Sequence, residues 1–148
     1  MTLRLAADAE GIAIAILLDT TEVTDIFDTR IGSELDLSDP AGLPALRVTT
    51  VNTRAIVRRH LDGSSVQLES WATTRLAAKQ NLEVARAALL ADGLEGVYEH
   101  AGPPVTPLGV LTGIENGAGP VPRPDPRTDT PRWLTTMVVY AHPPAGVP

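Results

Sequence analysis

Prolines at 120, 122, 124, 126 and 131 follow glycines at 117 and 119, and this run constrains the fold more than any other part of the chain. Proline lacks a backbone N–H and fixes φ at about −65°. Asn116–Pro131 is therefore read as neither helix nor ladder, but as an extended, polyproline-like arm projecting from the body of the protein. A long irregular excursion inside a compact domain is either functional or disordered, and of the two the arm (116–131) is expected to bind a partner.

The remaining residues are enough for one hydrophobic core. A chain of 148 residues is one domain (1–148), and a domain of that size buries roughly 70% of its unfolded surface. Aromatic residues are only 3% of the total, so the core must come from Leu, Val, Ile and Ala, with Trp71 and Trp133 as buried landmarks rather than interface residues. There is no cysteine, which removes disulfides, thiolate metal sites and cysteine nucleophiles together. Met1–Asp8 lacks the pattern of a signal peptide, and Ile12–Leu18 is far short of a membrane span. The chain is read as soluble, made in the cytoplasm and without a membrane partner.

Apolar periodicity orders the elements. Asp8–Leu18 is read as a helix capped by Asp8, although the alternation of Ile12, Ile14 and Ile16 also suits a strand. After a polar stretch, Arg30–Ser33 is a short edge strand, Leu46–Val51 a half-buried strand, and Asn52–Leu61 a connection. Asp62-Gly63-Ser64-Ser65 reads as a turn launching the strand Val66–Trp71. Thr73 or Thr74 caps the strongest helix, running to about Ala91, with Ala78, Leu82, Ala85 and Leu89 as its apolar stripe and Asp92-Gly93 as its stop. Short strands are expected at Val97–His100 and Val110–Glu115. A central strand, covered on both faces, is expected at Trp133–His142, with a C-terminal tail at 143–148. The expected fold is α+β: a mostly antiparallel sheet of about four strands packed by helices, with the long Pro/Gly-rich arm.

The residues offer no recognisable catalytic machinery. His60, His100 and His142 lie forty or more residues apart, without paired metal-ligand spacing. Gly109, Gly113 and Gly117 recur every four residues, but no Lys-Ser/Thr follows to hold a phosphate, so they read as turn and strand-packing glycines. Ser64-Ser65 lacks the glycines of a nucleophile elbow, and Asp25, Asp28, Glu34, Asp36 and Asp39 lack calcium-loop spacing. No enzyme, metal or cofactor is expected.

Charge points to assembly. The net charge of −6 is concentrated in residues 1–40, which hold nine acids and two bases, against nine acids and ten bases in the remainder. An acidic segment repels phosphate and disfavours tight nucleic-acid binding. Arg58 and Arg59, near Arg47 and Arg54, form a small basic patch suited to pairing with acids of a neighbouring subunit. Charge and expected exposure nominate Arg58, Arg59, Gly117, Gly119, Arg123, Arg127 and Arg132 as subunit or partner interface residues.

Three segments, taken in order, carry a resemblance. They are Leu43-Pro-Ala-Leu-Arg-Val-Thr, then Val66-Gln-Leu-Glu-Ser-Trp-Ala-Thr-Thr-Arg with its Ala-rich helix, and Pro131-Arg-Trp-Leu-Thr-Thr-Met-Val-Val-Tyr-Ala-His. Over residues 43–142 the chain resembles the tail terminator proteins of long-tailed bacteriophages. The resemblance implies a virion protein, assembled in the host cytoplasm, that forms a homo-hexameric ring on the end of the tail tube. Its partners would be further copies of itself, the major tail tube protein below and the head–tail connector protein above, with DNA passing through the lumen without specific binding. A neighbouring neck or head-completion protein, and a small non-viral binding domain, are the alternatives.

Overall fold

The computed structural model describes residues 5–35, 37, 42–57, 60–100 and 104–144. Asp36, Asp39, Arg58, Arg59 and the last four residues of the C-terminal tail lie outside the described residues. The elements in chain order are α1 (Ala9–Leu18), α2 (Thr21–Phe27), β1 (Ile31–Gly32), β2 (Ala45–Val57), β3 (Leu61–Trp71), α3 (Arg75–Leu89), β4 (Gly96–His100), β5 (Thr106–Pro122) and β6 (Arg132–His142). The six strands form one sheet in the order β1-β2-β3-β6-β5-β4, curled into a half-barrel. All neighbours are antiparallel except β1 and β2. The sheet is therefore six-stranded and mixed, not the mainly antiparallel sheet of about four strands read from the sequence. Parallel neighbours need a crossover of about a dozen residues, which 33–44 supply.

One face of the sheet carries the core. Along β6, Trp133, Thr135, Met137, Val139 and Ala141 are buried, opposite Ser70, Leu68, Val66 and Ser64 of β3 and, one strand further, Leu46 and Val48 of β2. α1 and α3 pack on this face, and α2 packs against both helices. In α3 the buried residues are Ala78, Leu82, Ala85 and Leu89, the stripe expected from spacing, and Thr74 caps it by accepting the Ala77 N–H at 3.1 Å. In α1, Asp8 accepts the Gly11 N–H at 2.9 Å, and Glu10 accepts the Thr50 N–H at 2.8 Å, which fixes the helix to β2. On the other face of β6, Leu134 is buried but Thr136, Val138 and Tyr140 stay half-exposed, so the strand is central in the sheet but helix-covered on one side.

Two hairpins are longer than their sequences suggest. β2 continues to Val57 and β3 begins at Leu61, so Asp62-Gly63-Ser64-Ser65 is strand rather than turn. Its small polar residues are used inside the ladder. The hydroxyls of Ser64 and Thr53 lie 2.9 Å apart, Asp62 accepts the Ala7 N–H at 2.9 Å, and a Cβ on Gly63 would press on Ile56 at 3.2 Å and Tyr140 at 3.3 Å.

The arm read from sequence begins as strand. Asn116–Pro122 belongs to β5 and pairs with β6 through Asn116↔Met137, Ala118↔Thr136, Val121↔Leu134 and Pro122↔Trp133. Past Leu111, β5 has left β4 behind and is itself an edge, where a proline nitrogen can face outward without breaking a ladder bond. Only 123–131 remain as a loop. That loop is closed rather than extended: Asp125 N–H donates to the Thr130 carbonyl, Asp129 N–H to the Asp125 carbonyl, and Arg123 N–H to the Arg132 carbonyl.

Candidate assembly surfaces

The register brings a charged cluster to the half-exposed face, at the pole where the β5–β6 hairpin turns. Arg47 and Glu69 are direct cross-strand partners, as are Trp71 and Arg132. The Glu69 carboxylate receives Arg47 Nη2 at 2.8 Å and Arg132 Nη1 at 3.2 Å, and its side chain is only 6% exposed. Both guanidiniums also lie over the Trp71 ring, 5.1 and 5.5 Å from its centre. A buried carboxylate shared by two arginines, with an aromatic face beside them, is a satisfied structural cluster.

The loop 123–131 and Leu35 and Leu37 adjoin this cluster. Arg132 Nε donates to the Arg123 carbonyl at 2.8 Å, which fastens the base of the hairpin. Asp125 accepts the Arg127 N–H at 2.8 Å. That bond is the main reason its carboxyl lies below the ordinary pKa; burial opposes it, and Trp71, Arg132 and Thr128 assist.

The residues nominated from sequence thus divide. Arg123, Arg127 and Arg132 are brought together at the β5–β6 hairpin; Arg123 and Arg127 are exposed, whereas Arg132 is committed to Glu69 and the hairpin base. Gly117 and Gly119 sit in β5, where an added Cβ would stand 3.0 Å from the carbonyl oxygens of Thr136 and Leu134 respectively, so they permit a close approach to β6. Arg58 and Arg59 lie outside the described residues. Trp71 and Trp133 are both buried; Arg75 and Lys79 from α3 lie over the second.

At the opposite pole, the β2–β3 hairpin leaves the helices. All of 51–57 is exposed, including Val51, Ile56 and Val57. The His142 Nδ1 meets the His60 carbonyl at this end. Among the described residues, no three of His, Asp and Glu stand close enough together to hold a metal ion.

Across the sheet lies a groove of about 610 Å³ between α1 and the β4–β5 hairpin. Ile14, Ala15, Leu18 and Leu108 make its apolar floor, and Asp8 and Glu99 stand in its wall. Nearby, the Tyr98 hydroxyl donates to the Leu94 carbonyl at 2.7 Å. Its pKa is raised first by burial and then by the charges of Asp19 and Glu95, which marks this side of the molecule as acidic.

Of this hairpin the sequence nominated only Arg58 and Arg59, not the apolar residues before them, and the groove was not singled out at all. The signal for those apolar residues was Ala55-Ile56-Val57 next to arginines inside a segment read as a connection. The groove has no local signal, because α1 and β5 are some ninety residues apart in the chain.

No protein-family signature matches the sequence, and no curated protein sequence is similar to it. Among solved structures, the chain is similar to one described as "Virion of native gene transfer agent (GTA) particle", with a TM-score of 0.63 and 12% sequence identity. The likeness covers 90% of this chain and 94% of that one, and what it establishes is a shared fold over nearly the whole of both.

Proposed function

We propose that the protein is a structural component of a phage-like particle and, within it, the tail terminator. In this reading, copies form a ring on the tail tube, stop its polymerisation and offer a surface to the head connector. The observation that carries the proposal is the shared fold with a chain of a gene transfer agent virion, at nearly full length in both directions. The resemblance of residues 43–142 to tail terminators supports the finer assignment.

The geometry is compatible with a ring component. Two long hairpins leave opposite poles of one sheet, so a copy can meet partners above and below through different parts of the chain. The role is structural rather than catalytic, and its interactions are with further copies, the tube and the connector. Asp19, Glu22, Asp25 and Asp28 are exposed around α2 and repel phosphate, which suits a protein past which DNA must slide.

The test is electron microscopy of lysates from the particle-producing strain with the coding sequence deleted. Overlong, headless tubes are the expected result. Tails of normal length that fail to join heads would favour a connector role, and normal particles would remove both readings.

A further inference from the structure

Ile56 and Val57 are 49% and 50% exposed, and Val51 60%. Single apolar residues on a surface need no explanation. Three β-branched ones along a two-stranded ribbon that no helix covers leave apolar surface open, and Ile56, resting on Gly63 from one side only, and Val57 form a knob near its tip. We propose that this knob inserts into the apolar groove between α1 and the β4–β5 hairpin of a second copy of the chain. The inference deepens the tail-terminator reading and rests on its ring.

Shape and charge both favour this occupant. The groove, at about 610 Å³, is ample for two branched aliphatic side chains, and its floor of Ile14, Ala15, Leu18 and Leu108 is apolar. Its wall is acidic through Asp8 and Glu99, with Asp19 and Glu95 close by at Tyr98. The ribbon carries Arg54, and the sequence continues Arg-Arg after Val57. Its acid Asp62 is buried on the Ala7 N–H. A basic-leaning apolar knob thus faces an acid-walled apolar hole, whereas knob against knob would set like charges together.

Topology supplies the geometry of a ring. The strand ends Val57, Leu61, His142, Thr106 and His100 all lie at one pole of the sheet, as the registers require. Knob and groove occupy opposite lateral sides of that pole, three to four strand spacings apart, or roughly 14–19 Å measured along the curved sheet. A contact between unlike patches on opposite sides is heterologous, and repeating it generates a closed ring or an open helix instead of stopping at a dimer.

The absence of cysteine makes the test direct. Full-length Ile56→Cys and Leu18→Cys variants, each shown to keep the parent's circular dichroism and melting midpoint, are mixed at high concentration and treated with a thiol-specific bismaleimide. The expected product is a covalent dimer in the mixture and not in either variant alone, and the double variant should give a ladder of higher oligomers. Adding Arg54→Glu to the first should lower the yield several-fold, and adding Glu99→Arg to the second should restore it. No mixed product, or an equal yield from Ile56→Cys alone, would overturn the proposal. The two readings fail separately. Normal particles from the deletion strain would refute the tail-terminator role and leave a mixed cross-link standing, whereas overlong tubes without the cross-link would mean a ring built on another surface.

Discussion

Arg132 and Glu69 face each other diagonally across the β3–β6 seam, Nη1 to Oε2 at 3.2 Å, and the same carboxylate holds Arg47 at 2.8 Å. Removing the acid would leave two guanidiniums beside Trp71 without their counter-charge. Glu69→Gln should therefore destabilise the fold by about 2–3 kcal/mol, less than the loss of one partner from a fully buried pair because the Arg47 side chain is 36% exposed. For a chain of this length that lowers Tm by roughly 5–10 °C. Calorimetry showing a loss below about 0.5 kcal/mol would put the cluster in the class of ordinary surface pairs.

Gly119 has φ +92, and a Cβ there would meet the Leu134 carbonyl at 3.0 Å and Thr135 Cα at 3.2 Å. Gly119→Ala should cost about 1–3 kcal/mol by combining a strained backbone with a backbone clash. Gly113 lies in the same strand with no atom within 4 Å of its added Cβ and no positive φ, so Gly113→Ala serves as the mild control. Equal urea midpoints for the two variants would argue against pairing of β5 and β6 beyond Asn116.

Local residue pattern controls part of this fold, and that part is legible in the sequence. The α3 stripe and the two faces of β6 follow from residue spacing, and the Asp8 cap follows from side-chain chemistry next to an apolar run. The misses are tertiary. Prolines 120 and 122 entered the sheet because β5 is an edge there, a fact about strand order that no five-residue window contains. Asp62–Ser65 has the composition of a turn and serves as strand because Thr53, Ala7 and Tyr140 need small or polar partners at those positions. α2 was passed over as polar, although Val23 and Phe27, both fully buried, stand four residues apart. The nominated arginines were legible by charge, but the commitment of Arg132 to Glu69 depends on a register between strands sixty residues apart.

Tyr140 donates to Glu115 at 2.7 Å, and this hydrogen bond, with lesser help from burial and the carboxylate charge, holds the phenol pKa above its ordinary value. A raised pKa means that the folded state favours the neutral form. The associated stability is fully present below the ordinary phenol pKa and is lost as pH rises through the folded value. Glu115→Ala should move the Tyr140 titration down to the ordinary range, read by phenolate absorbance against a Tyr140→Phe reference, since Tyr98 is also raised. An unchanged midpoint would mean that the bond is not made in solution.

Arg123 and Arg127 are exposed, and their backbone N–H groups, rather than their guanidiniums, close the β5–β6 hairpin. Reversing both charges should leave the monomer nearly as stable as the parent, within about 0.5 kcal/mol, as expected for surface positions. If the hairpin is the surface offered to the tube or the connector, particles assembled with Arg123→Glu/Arg127→Glu should show the tail defects of the deletion while the purified chain melts normally. Arg132→Glu should behave differently, because it places a second carboxylate beside Glu69 and Trp71 and would lower the melting midpoint of the isolated chain. Intact particles from the double variant, with its stability unchanged, would exclude the hairpin arginines from the interface and leave the β2–β3 pole as the surface at which assembly must be sought.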